Sequence, residues 1–214
     1  MKNSALLLVD IQNDFCTGGA LAVNDSDAVV QTANQLINYF KRIKNPIIAS
    51  KDWHPADHLS FAENSGTVIG EIGKLNGLPQ VWWPVHCVQQ SNGAEFHPEL
   101  DYEAINHIIY KGQNRLIDSY SAFFDNDHEY QTGLHTLLQT LNIKHLYILG
   151  IATDYCVKFT VLDALLLGYQ VSVITDGCRG VNIKKEDSQI ALDEMVAKGA
   201  QLIDSADWFN RDNK

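Results

Sequence analysis

Leu146-Tyr147-Ile148-Leu149-Gly150-Ile151-Ala152-Thr153-Asp154-Tyr155-Cys156 decides the fold. Its first half, Leu146–Gly150, is an apolar run that resembles a strand buried on both faces. It leads into Asp154–Leu167, which is apolar nearly all round and ends at Gly168, the pattern of a buried helix with a glycine C-terminal cap. Cys156 therefore falls where a strand turns into the first turn of a helix. The partial positive charge at a helix N-terminus stabilises an anion, and a low-pKa cysteine is both nucleophile and leaving group. The blander reading is an inert buried thiol.

Working outward, four more apolar runs resemble buried strands, Ala5–Val9, Ile47–Ser50, His107–Tyr110 and Val171–Thr175, with a weaker sixth at Gln201–Ile203. Val29, Ala33, Leu36, Ile37 and Phe40 recur at helical spacing, with Asp25, Ser26 and Asp27 as candidate caps and Asn45-Pro46 as a stop. Lys185–Lys198 reads as a further helix. Strands alternating with helices predict an α/β fold, a three-layer α/β/α arrangement around a six-stranded, mainly parallel sheet with Rossmann-like topology. One domain over residues 1–214 is expected. The exception to the short connections is about 52–106, rich in glycine, histidine and tryptophan, and a connection of that length and composition reads as functional rather than disordered.

A formal net charge of -10 argues against nucleic acid or an anionic membrane as partner. The apolar stretch after Met1-Lys2-Asn3-Ser4 is only five residues long and is closed by Asp10, too short for a secretory core. No later run approaches spanning length. Cys16, Cys87, Cys156 and Cys178 show no CxxC spacing, and the chain reads as cytoplasmic with free thiols. A homodimer is the default expectation from how common two-fold pairs are.

Open α/β sheets bind ligands outside the carboxyl ends of their strands. Here those ends deliver Asp10, then Asp52-Trp53-His54, then Lys111, then Ala152 to Cys156: an acid, a metal-like pair, a base and a thiol. Each has a bland alternative: a turn-capping aspartate, a solvated edge lysine, a buried cysteine. Their convergence favours a site. Asp52 and His54, two apart, point the same way in an extended segment, and His86 is a third candidate ligand. Three oxygen and nitrogen donors with open positions suit one divalent ion, zinc first, with iron or manganese as alternatives. His58 and His97 are rival ligands, read more blandly as a surface histidine and a turn histidine before Pro98. Ser60 and Glu63 are candidate auxiliary ligands. Trp53 and Trp83, taken singly, are more often core than substrate platforms.

The motifs Val9-Asp10-Ile11-Gln12-Asn13-Asp14-Phe15, Asp52-Trp53-His54-Pro55, Trp83-Pro84-Val85-His86-Cys87-Val88, Tyr110-Lys111-Gly112, Asp118-Ser119-Tyr120-Ser121-Ala122-Phe123 and Gly150-Ile151-Ala152-Thr153-Asp154-Tyr155-Cys156-Val157 follow one another in this order. Together they resemble the nicotinamidases of the isochorismatase-like cysteine hydrolase superfamily, over almost the whole chain. The resemblance implies the isochorismatase-like fold and a triad of Asp10, Lys111 and Cys156. It also implies a divalent metal on Asp52, His54 and His86, with Phe15, Trp83 and Tyr120 around a pyridine ring. The implied reaction cleaves nicotinamide, and in many members pyrazinamide, to the acid and ammonia through a cysteine thioester, as in NAD salvage. Backbone N–H groups of Ala152 and Cys156 are the expected oxyanion donors, and a cis peptide between Ile151 and Ala152 is implied by the same resemblance.

Overall fold

The computed structural model describes residues 2–212. In chain order the elements are β1 (Ser4–Val9), α1 (Ser26–Arg42), β2 (Ile47–Asp52), α2 (Ala62–Ser65), β3 (Ile72–Leu75), β4 (Leu78–Val81), β5 (His107–Lys111), α3 (Leu134–Thr140), β6 (His145–Ile151), α4 (Lys158–Leu166), β7 (Gln170–Arg179), α5 (Asp187–Ala197), β8 (Gln201–Ile203) and α6 (Ser205–Asp212). Six strands form one sheet in the order β5-β2-β1-β6-β7-β8. Every pairing in it is parallel. β1 and β2 are buried at every residue, which is why Ala5–Val9 and Ile47–Ala49 run apolar without alternation.

From the central pair β1/β6 the chain winds outward in both directions. Right-handed crossovers then place α1 on one face and α3, α4 and α5 on the other. α1 buries Val29, Val30, Ala33, Leu36, Ile37 and Phe40 along one stripe. Trp208 of α6 packs on this layer, 4.5 Å from the Tyr39 ring and stacked on Phe40. Of the candidate caps, Asp25 takes the N-cap position of α1 but makes no side-chain cap bond. Its carboxylate accepts instead from Arg179 Nε and Nη2, at 2.9 and 2.7 Å.

Two local details correct the sequence expectation. The helix expected over Asp154–Leu167 is split: Thr153–Val157 form a widened π-type turn, and regular α-helix starts only at Lys158. The long connection also contains an antiparallel hairpin, β3 with β4, turning at Asn76-Gly77. The rest of the connection is tied over the sheet by isolated bridges between His54 and Val88, Phe61 and Trp83, and Gln12 and Phe96.

At the centre, Val9 of β1 is registered with Gly150 of β6. Gly150 has φ +139°, and a Cβ built there would lie 2.0 Å from the Val9 carbonyl oxygen. No side chain fits, so glycine alone allows the two strands that lead into Asp10 and Cys156 to lie this close.

Candidate active site

Asp10 leaves β1 in a left-handed conformation, φ +49°, and its side chain is completely buried. Its Oδ1 accepts a hydrogen bond from Ser50 Oγ at 2.6 Å. Its Oδ2 lies 2.9 Å from Lys111 Nζ but accepts no well-directed hydrogen bond. That leaves the oxygen open toward the thiol: donor atoms of Asp10, Asp52 and Cys156 all lie within 4.8 Å of one another.

Lys111 ends β5, and far from being a solvated edge residue it is 2% exposed. Its ammonium donates to Asp52 Oδ1 at 2.6 Å and to the Ser119 carbonyl at 2.9 Å, and it stands 3.4 Å from Cys156 Sγ. Burial works against its charge, but Asp10 and Asp52 outweigh that and hold its pKa well above the ordinary lysine value. Burial opposes the Asp52 carboxylate as well, yet Lys111 and His54 keep its pKa well below the usual range.

The thiol behaves differently from the expectation of a low-pKa thiolate. Burial pushes Cys156 well up, and Asp10 and Asp52 add to that against the pull of Lys111. One cation already faces two carboxylates, so a third buried anion would be uncompensated. Burial likewise raises Asp10 above the ordinary carboxylate range, against the pull of Lys111. A proton moved from Cys156 to Asp10 leaves the net charge of this cluster unchanged. The geometry therefore favours a thiol that is deprotonated on demand by its neighbour.

Asp52, His54 and His86 come together as a buried donor set. His54 Nδ1 donates to the Gly112 carbonyl at 2.9 Å and His86 Nδ1 to the Pro84 carbonyl at 2.7 Å, because a carbonyl can only accept. In the neutral form of each ring this leaves Nε2 as the lone-pair nitrogen, the form in which imidazole binds a metal. The two Nε2 atoms lie 3.5 and 3.8 Å from Asp52 Oδ2. Donors on a tetrahedral ion at ordinary Zn–N and Zn–O lengths stand about 3.3–3.6 Å apart, so the set fits such an ion with small adjustment.

His54, His58 and Asp118 form a second buried donor group, but the rival ligands have other partners. His58 is no surface histidine: it is fully buried beside His54. Its Nδ1 accepts from the Ser60 backbone N–H at 3.1 Å and pairs with Ser60 Oγ at 2.7 Å, while Nε2 faces the Ile117 carbonyl at 3.3 Å. Burial and the His54 charge push its pKa down to about 4, so it sits neutral with both nitrogens engaged. Ser60 is committed to that pair, Glu63 is exposed, and His97 forms the turn expected before Pro98, its Nδ1 accepting from Glu99 N–H.

A chamber lined by Phe15, Asp52, Trp83, His86, Tyr120, Ala152 and Cys156 joins the triad to the donor set. Trp83 is thus a pocket wall, its Nε1 donating to Tyr120 OH at 3.3 Å, whereas Trp53 packs on Tyr110. The Ile151–Ala152 peptide is cis. Leu21, Asp118, Tyr155 and Val181 also line the chamber and were missed from sequence. Asp118 and Tyr155 lie within quoted motifs and could have been found there, whereas nothing local to Leu21 or Val181 marks them.

This fold and this constellation define a cysteine-hydrolase type of site, with a cysteine, a carboxylate and a lysine at the strand ends of a parallel sheet. The isochorismatase domain family matches residues 4–207, and the chain belongs to it. Among its relatives, a nicotinamidase of Escherichia coli is 56% identical over 97% of this chain and 98% of its own. A solved nicotinamidase/pyrazinamidase from Acinetobacter baumanii superposes with a TM-score of 0.91 at 42% identity, covering 97% of this chain and 99% of the other. A pyrazinamidase of Pyrococcus horikoshii solved in complex with zinc gives 0.78 at 37%, covering 94% and 99%. Among the described residues no helix is long and apolar enough to cross a membrane.

Proposed function

We propose that the chain is a nicotinamidase, hydrolysing nicotinamide to nicotinate and ammonia, with pyrazinamide as a second substrate. The observation that carries the reading is the ammonium of Lys111, bonded to Asp52 and in reach of Asp10 and Cys156, beside a buried donor set of one carboxylate and two imidazoles. Similarity to the nicotinamidases of E. coli and A. baumanii supports the substrate.

In this mechanism Asp10 Oδ2 takes the Cys156 proton as the sulfur adds to the carboxamide carbon. Lys111 balances the charge on sulfur. The N–H groups of Ala152 and Cys156 hold the carbonyl oxygen as it gains charge, a contribution of about 3–4 kcal/mol per donor in other hydrolases. Asp10 then returns its proton to the departing ammonia, leaving a thioester on Cys156, and deprotonates the water that cleaves it. Phe15, Trp83 and Tyr120 wall the ring. Asp52, His54 and His86 would hold a divalent ion, zinc by preference, which would supply Lewis-acid chemistry toward the pyridine ring. The zinc in the P. horikoshii relative supports that choice. We also take residues 1–214 to act as one domain in the cytoplasm, in keeping with four cysteines that stay free, and expect a homodimer in sedimentation.

The test is ammonia release from nicotinamide before and after chelation, with single metals added back. Activity is expected to fall on chelation and to return with zinc. A metal-free preparation fully active on a carbamoyl amide and silent on nicotinamide overturns the assignment. Trp83→Ala is expected to raise KM about tenfold with kcat little changed, since ring stacking acts in ground and transition state alike. A fall in kcat at constant KM would place Trp83 in the chemistry instead.

A further inference from the structure

We infer that Gln12 and Asp14 are positioning residues that fix the metal centre to the loop carrying Asp10; this rests on the donor set of Asp52, His54 and His86 described above. β1 stops pairing with β2 at Leu8 and Ala49, and the chain turns away at Asp10. The backbone of Asp52 would then face the vacated side of the ladder without partners. The Gln12 side chain fills the gap. Its Oε1 accepts from Asp52 N–H at 2.8 Å, and its Nε2 donates to the Asp52 carbonyl at 2.8 Å and to the Ala94 carbonyl at 2.9 Å. A carboxamide thus stands in for the missing peptide of β1, bidentate on the residue whose carboxylate serves both Lys111 and the metal set. Gln12 is completely buried, so no water replaces it.

Asp14 does the same for the other side of the centre. Its Oδ2 accepts from Cys87 N–H at 2.7 Å, and its Oδ1 from Ala20 N–H at 3.3 Å. Cys87 directly follows His86 and sits at φ +45°, a strained turn for a residue with a side chain. A Cβ on Gly93 would fall 2.0 Å from the same Asp14 oxygen, so the neighbouring backbone leaves room for this carboxylate only because residue 93 is glycine. Phe15, one residue on, packs its ring 5.5 Å from that of His86. One six-residue loop thus carries the base and holds ligands from two distant segments.

The experiment measures zinc affinity by competition with a chromophoric chelator, together with the melting temperature of the metal-free protein. Gln12→Met and Asp14→Leu are each expected to weaken zinc about 10- to 100-fold, the usual effect of removing a residue that orients a ligand. Asp14→Asn keeps an acceptor for Cys87 N–H and is expected to stay within threefold of the parent. Should Gln12→Met fail to fold, Gln12→Asn keeps the amide one methylene short of its partners and is expected to weaken zinc in the same direction. Leu138→Ala, a core truncation in α3, supplies a control that lowers the melting temperature with zinc affinity intact. Gln12 and Asp14 variants that melt earlier but bind zinc as the parent does would reduce both residues to scaffold and overturn the inference. A parent that takes up no divalent ion overturns the metal centre as well.

Discussion

Cys156→Ala is expected to lower ammonia release from nicotinamide by about five or six orders of magnitude, as loss of the nucleophile does in other covalent hydrolases. Nothing else in the chamber can replace the sulfur. Asp52 is engaged by Lys111, and Asp10 is shaped to accept a proton from a neighbour rather than to attack. Residual turnover would come from the oxyanion donors and substrate orientation acting on water. The side chain is small and lies at the chamber wall, so far-UV circular dichroism should be unchanged. A rate within tenfold of the parent would remove the covalent mechanism altogether.

Lys111→Met is expected to cost both activity and stability. Loss of the cation opposite the nascent thiolate should slow turnover on the order of a thousandfold. It also leaves Asp10 and Asp52 buried without their shared partner, and breaking a buried pair on one side costs about 3–5 kcal/mol. The pH dependence identifies the cause. In the metal-free parent the Asp52 pKa is held low, so that carboxylate adds stability above its unfolded pKa and the contribution is lost as pH falls through the folded value. In the variant both folded pKa values rise above the unfolded one. Their penalty is complete at neutral pH and disappears as pH falls toward about 4. Urea unfolding of both metal-free proteins at pH 7 and pH 4.5 should therefore show the gap narrowing in acid. A gap of constant size would mean that Lys111 acts through packing alone.

The sheet was readable because parallel strands covered on both faces leave runs without alternation, and the strand ends then point to Asp10, Asp52, Lys111 and Cys156. The hairpin was harder to see. β3 alternates between exposed and half-covered positions and β4 buries only its last two residues, so no apolar run marks them, although Asn76-Gly77 carried the turn signal. His58 looked like a surface residue because nothing local reveals that Ser60 and the Ile117 carbonyl enclose it. The state of the Cys156 sulfur was misjudged for a related reason. A helix start is a local feature, but the protonation of this thiol follows first from its burial and then from the charges brought in by β1, β2 and β5, where Asp10 and Asp52 oppose Lys111. Spacing along a chain says little about either.

The bare Cα of Gly150 sets a tolerance for the whole centre. Base and nucleophile ride on adjoining strands whose backbones touch at Val9, so their separation is gauged by one absent carbon. A methyl group at 150 would act as a wedge between the strands and would prise Asp10 from Cys156 while leaving every reacting group chemically intact. The smallest side-chain change available to the chain would then be among the most damaging, at a position that carries no functional group at all.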